Sequence, residues 1–136
     1  LTTAIPLRPL AQKFSLPHDY SHTYTLSWPA GCFSQINAAQ NHQLVQLVCT
    51  LAGTVKNTTI LDLYCGMGNF SIPLALLGAA VTGIERNRES IRWARHNAET
   101  AGVTCSFFSA DVINSLQDLV QEKQQADIIL LDPPRR

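Results

Sequence analysis

The chain has 136 residues, 46% of them hydrophobic and 15% charged, with Lys and Arg numbering 10 and Asp and Glu also 10. That size and apolar content suit one globular domain with a buried core, and exclude a disordered chain. The charge balance leaves no basic excess that would by itself mark a nucleic-acid footprint, and no apolar run reaches the length of a membrane span or has the shape of a secretory leader. A cytoplasmic protein with no membrane partner is expected. Cys32, Cys49, Cys65 and Cys105 are scattered without a Cys-x-x-Cys pair. Free thiols and no metal site follow as expectations.

Residues 1–21 contain Pro6, Pro9 and Pro17 and little periodicity, which predicts an extended lead-in segment ahead of a domain over 22–136. From His22 to Trp28, Tyr24, Leu26 and Trp28 alternate with polar residues, a half-buried strand that stops at Pro29-Ala30-Gly31. Asn37, followed at the right distance by Gln40, reads as a helix cap. Leu44, Leu47, Val48 and Leu51 then recur at helical spacing up to Gly53, predicting a helix over 37–52. Beyond it one unit repeats, with strands over 59–64, 80–85, 103–108 and 126–131 and helices over 70–77, 88–101 and 112–124. In the second of these helices Ile91, Ala94, Ala98 and Ala101 share a face, and Gly102 stops it. Strands that alternate with helices must be joined by crossovers. The fold class is therefore α/β, an open, mostly parallel, doubly wound sheet.

The run Ile60-Leu61-Asp62-Leu63-Tyr64-Cys65-Gly66-Met67-Gly68-Asn69-Phe70 carries an apolar strand into a glycine-bearing turn that opens a helix. In such sheets ligands bind beyond the carboxyl ends of the strands, and Gly66 and Gly68 let the backbone approach a cofactor without a Cβ. Asp62 is expected to organise the loop through its carboxylate. A tight structural turn is the plainer reading, since a dinucleotide fingerprint would want a third glycine where Ser71 stands. Glu85 weighs against it, because a carboxylate at the end of the second strand of the repeat can accept both hydroxyls of a ribose. Nicotinamide cofactors and S-adenosylmethionine share that contact. Asp111, just past the third strand, stands where a methyltransferase sheet places an acceptor for the adenine amino group; a solvated loop aspartate is the alternative. The fourth strand runs into Asp132-Pro133-Pro134-Arg135. The prolines hold Asp132 rigidly at the rim of the sheet. Enzymes that methylate amino groups of adenine or cytosine usually carry an aromatic residue after such a Pro-Pro to stack on the base, and here Arg135 stands instead.

With Phe33-Ser34-Gln35-Ile36-Asn37, the 62–70 run, Glu85 and Asp132-Pro133-Pro134-Arg135 in this order, the sequence resembles the RNA uracil-5-methyltransferase family from about Tyr24 onward. The resemblance implies a Rossmann-like S-adenosylmethionine-dependent methyltransferase fold, truncated after the fourth strand of the repeat, acting on ribosomal or transfer RNA. It implies cofactor contacts from Gln35, Tyr64, Asn69, Glu85 and Asp132, with Asp111 near the adenine. Asp62, Gly66 and Gly68 form the cofactor loop. Phe33 is expected near the target base, with Arg135 on the substrate side. Family chemistry adds a cysteine thiolate to uracil C6 so that C5 can take the methyl group, after which a base removes the C5 proton. In the family that cysteine lies in a Ser-Cys-Asn-Pro-like motif after the Asp-Pro-Pro-Arg strand, and a glutamate base follows. Both are expected beyond Arg136, so no catalytic residue is assigned within the chain. The chain then reads as the cofactor-binding part of a longer enzyme, inactive alone. The outer edge of its last strand is expected to be bare and to promote self-association.

Two other readings remain open at this level. One is an amino-methyltransferase that works through Asp132-Pro133-Pro134 and needs no cysteine. The other is a non-catalytic module that only binds S-adenosylmethionine.

Overall fold

The computed structural model describes residues 8–30 and 37–135. The chain opens with a hairpin. Strand β1 (Leu10–Leu16) pairs antiparallel with β2 (Asp19–Trp28), with Phe14 opposite Tyr24. Phe14, Leu16, Tyr24 and Leu26 turn inward, and the rings of Phe14 and Tyr24 stack with centroids 5.4 Å apart. The expectation of a lead-in over 1–21 is therefore corrected for its described part: β1 belongs to the core, and β2 begins three residues before His22. The alternation of β1 was hard to see because Gln12 occupies one of its inward-parity positions and prolines flank it.

Helix α1 (Ala38–Ala52) starts where Asn37 accepts a hydrogen bond from the Gln40 amide (3.1 Å) and stops at Gly53, whose φ is 71°. Its apolar face differs from the expected one. Asn41, Val45 and Cys49 are buried, whereas Leu44, Leu47 and Leu51 are exposed. The helix is apolar on several sides, and contact with the sheet selects the side carrying the smaller residues.

The repeat follows as β3 (Thr59–Leu63), α2 (Ser71–Leu76), β4 (Ala80–Glu85), α3 (Arg88–Ala101), β5 (Cys105–Ser109), α4 (Val112–Gln121) and β6 (Ile128–Leu131). The strands form one parallel sheet in the order β5-β4-β3-β6, which bears out the α/β class. Alternate residues of β3 face opposite sides. Ile60 packs with Val45 and Cys49 of α1 and Leu74 of α2, while Leu61 and Leu63 pack with Val112, Leu116 and Leu119 of α4. Helix α3 covers Phe107 of β5 with Ile91, Ala94 and Ala98, and the hairpin closes over that same cluster. Consecutive strands β3, β4 and β5 extend to one side, and β6 crosses to the other side of β3. The order reverses at β3, so its carboxyl end opens onto a crevice. Among the described residues no helix is long and apolar enough to cross a membrane.

Candidate functional site

The crevice is framed by the turn that follows β3. Tyr64 follows the strand with φ at 61°, a left-handed conformation costing a β-carbon residue about 1 kcal/mol, and Gly66 and Gly68 come next at 54° and 90°. The two glycines are needed for different reasons. A Cβ on Gly66 would meet nothing within 4 Å and would project into the open crevice, whereas one on Gly68 would lie 3.0 Å from Ile72 of α2. Gly66 lines the cavity; Gly68 lets the turn sit down on the helix.

Asp62 is buried behind this turn, 1% exposed, and accepts a hydrogen bond from the Ser71 hydroxyl. Ser71 is itself buried in the first turn of α2, so the place where a third glycine would stand is filled by the partner of Asp62. The other carboxylate oxygen, Oδ1, is buried without a partner. Burial pushes the Asp62 carboxyl up to about 7, against the lowering effect of Ser71, and the nearby charges of Asp132 and Glu85 push the same way as burial. Three carboxylates thus converge on one end of the crevice. None of the three is in an ion pair among the described residues.

Glu85 ends β4 and is held from two sides. Its Oε2 accepts from the Gly66 amide (3.3 Å) and its Oε1 from the Asn87 amide (2.8 Å). Asn87 in turn caps α3 by accepting from the Ser90 amide (3.0 Å). Asn69 forms a reciprocal amide pair with Asn41 of α1, both bonds at 2.9 Å. Asp111 caps α4 through the Asn114 amide (3.0 Å), and Asp132 and Pro134 follow β6. Tyr64, Gly66, Asn69, Glu85, Asp111, Asp132 and Pro134 all line one cavity of about 900 Å³. That volume lies within the range of small-molecule and cofactor sites.

Of the residues singled out in the sequence, Asp62 sits behind the cavity wall and Gly68 packs on α2. Arg135 is exposed and does not line the cavity, although its neighbour Pro134 does. Gln35 and Phe33 lie outside the described residues, as does Cys32. The hairpin supplies wall residues that sequence reasoning missed, Trp28 foremost, and α1 supplies Asn41. A polar residue on the inward helical repeat of α1, at Asn41-Val45-Cys49, was the available signal for Asn41; for Trp28 there was none, because its strand had no assigned place beside the sheet. Cys49, Cys65 and Cys105 are free thiols. Burial, with Asp62 and Glu85 close by, pushes the Cys65 thiol up, so it stays protonated at neutral pH. Among the described residues no group of His, Cys, Asp and Glu is placed to hold a metal ion.

A family model described as "Methyltransferase domain" matches residues 54–133, more than half of the chain. The chain belongs to the methyltransferase domain family. A curated relative, the 23S rRNA (uracil(1939)-C(5))-methyltransferase of Acinetobacter baumannii strain AB0057, is 42% identical over 107 residues, which cover 76% of this chain and 23% of that protein. Among solved structures, Pyrococcus abyssi tRNA (uracil-54, C5)-methyltransferase in complex with S-adenosyl-L-homocysteine superposes with a TM-score of 0.65 at 29% identity, over 82% of this chain and 26% of that one. The T. thermophilus 16S rRNA N2 G1207 methyltransferase in complex with AdoMet and guanosine superposes with a TM-score of 0.74 at 28% identity, over 98% and 35%. The resemblance to RNA uracil-5-methyltransferases read from the sequence blocks is borne out by the relatives that match this methyltransferase domain. The chain spans about a quarter of the length of those curated relatives.

Proposed function

We propose that this chain holds S-adenosylmethionine for a longer, cytoplasmic enzyme that methylates uridine C5 in RNA. The observation that carries the cofactor is Glu85. Two main-chain amides fix both of its oxygens at the cavity wall, and each oxygen keeps a lone pair for one hydroxyl of a ribose. The residues present fit the rest of the group. Gly66 leaves open the space a Cβ would fill, and Asn69 and Asp132 line the same cavity. Glu85 and Asp132 at the cavity wall suit a cationic ligand. Asp111 and Val112 would flank the adenine, Tyr64 the body of the cofactor, and Asn69 and Asp132 its amino-acid end. Bound S-adenosylmethionine supplies an electrophilic methyl group on a positively charged sulfur. The chain's own part is to orient that group and to keep the turn beside it dry, with Asn69 braced by Asn41.

Titration calorimetry with S-adenosylhomocysteine tests the cofactor. We expect micromolar binding, weakened at least tenfold by Glu85→Ala, which corresponds to about 1.4 kcal/mol. Absence of binding by the parent chain would overturn the reading.

Uridine C5 as the target is supported by the activities of the uracil-methylating relatives and by Arg135 standing where an amino-methylating enzyme would want an aromatic ring. The likeness to a guanine-N2 enzyme supports a second reading, methylation of an exocyclic amino group on RNA. Digestion of RNA methylated by the full-length enzyme distinguishes them. We expect 5-methyluridine, and a methyl group found on an exocyclic amine would replace the first reading by the second.

We also propose that the chain self-associates through β6. Among the described residues this strand pairs only with β3, and its Ile129 and Leu131 are 59% and 61% exposed. An open edge flanked by apolar side chains favours pairing with a second copy. Sedimentation velocity should show a concentration-dependent dimer, and Ile129→Lys should return it to monomer. A parent chain that stays monomeric at high concentration would exclude the contact.

A further inference from the structure

The cofactor turn contains two left-handed glycines around Met67. Its main chain is held by the Gly68 amide on the Cys65 carbonyl (2.9 Å), the Ile72 amide on the Gly68 carbonyl (3.0 Å), the Cys65 thiol on the Gly66 carbonyl (3.8 Å) and the tie from Gly66 to Glu85, and at Met67 it meets a buried side chain from outside the turn. That side chain is Asn97 of α3, fully buried at 0% exposure. Its Oδ1 accepts from the Ser27 amide (2.8 Å), while its Nδ2 donates to the Ser27 carbonyl (3.0 Å) and to the Met67 carbonyl (3.1 Å). An asparagine amide offers one acceptor oxygen and two N–H donors, and here all are used on main chain.

The geometry with Ser27 is that of a neighbouring strand's peptide group. Asn97 receives the N–H and answers the C=O of the same residue, closing the outward edge of β2 as a further strand would. The third bond then joins that edge to the turn. Ser27 immediately precedes Trp28, and both Trp28 and Met67 line the cavity. One side chain that touches neither cofactor nor substrate thereby sets two walls of the site relative to each other.

We infer that Asn97 is a positioning residue for the cofactor site: it holds the Met67 peptide in the binding geometry and couples the end of the hairpin to the turn. The inference rests on the cofactor reading proposed above. A purely structural role would lower the stability of the chain and leave the affinity of its folded fraction unchanged, because Asn97 makes no contact that a ligand would replace.

The test is calorimetric titration of S-adenosylhomocysteine into the 136-residue chain and into Asn97→Ala, at a temperature where both give the same far-UV circular dichroism. We expect the substitution to raise Kd at least tenfold. Binding within twofold of the parent, with a lowered Tm, overturns the positioning role. Failure of the parent to bind removes the cofactor reading first and this inference with it. Should Asn97→Ala not fold, hydrogen exchange on the parent decides. The Ser27 amide, joined to the turn through Asn97, should exchange at least fivefold more slowly when S-adenosylhomocysteine is bound. An unchanged rate there, with slowed exchange in the turn itself, overturns the coupling.

Discussion

Asp62→Asn should stabilise the fold above pH 7 and remove much of its loss of stability between pH 3.8 and about 7. The parent carboxyl is buried, with Asp132 and Glu85 near it, so its proton is held more tightly in the folded chain than in the unfolded one. Its contribution is therefore most favourable below pH 3.8, where it is protonated in both states. It declines as pH rises through the window and is fully lost above about 7. The displacement corresponds to about 4 kcal/mol. An asparagine keeps the acceptor for Ser71 but leaves its amide NH2 group unpaired at about 1–3 kcal/mol, so a net gain of about 2 kcal/mol is expected above pH 7. Asp127 does not interfere. Its bonds from Thr59 hold its carboxyl below the usual value, so the stability it lends is present at higher pH and lost only as pH falls below that window. Calorimetric melting of parent and variant across the window checks this, and parallel curves would show that Asp62 titrates normally.

Gly83→Val should be the most damaging single substitution, at about 3 kcal/mol or more, with Gly83→Ala costing about 1–3 kcal/mol. Gly83 lies inside β4 between Asp62 and Phe107 of the neighbouring strands. A Cβ there would come within 2.6 Å of the Phe107 ring and 2.8 Å of the Cys65 sulfur. Both neighbours are buried, and the ring is hemmed in by α3 and the hairpin. The Cys65 sulfur sits at the start of the turn whose Gly66 amide bonds Glu85, so the variant should also weaken S-adenosylhomocysteine binding. Phe107→Leu should recover part of the stability lost by Gly83→Ala, because it removes the atoms in collision. Urea unfolding of the two single variants and the double variant measures that coupling. Strictly additive losses would show that the collision is not the cause.

Helix α3 and strand β4 can be read directly from the residues: Asn87 before the first turn, Gly102 after the last, and an apolar run between turn residues at 80–85. The cavity lining on the strand ends was equally open to reading. Glycine turns and strand-end carboxylates are local features whose chemistry does not depend on distant partners. So Tyr64, Gly66, Asn69, Glu85, Asp111 and Asp132 could be named before their meeting in one cavity was known.

What only the tertiary structure decided concerns residues whose meaning depends on what lies opposite them. A polar residue beside Ala98 reads as solvent-facing until β2 is placed against α3, and then Asn97 becomes a fully buried link between the hairpin and the turn. Leu44, Leu47 and Leu51 read as a core stripe until the sheet selects Val45 and Cys49. Strand β1 carries too weak an alternation to announce itself and exists because β2 pairs with it in register. Hydrogen bonds to main chain and the choice of a buried helix face are made across space, between segments whose separation along the chain leaves no local mark. The residues proposed to hold the cofactor were thus determined by the sequence, and the frame that holds them was decided by packing.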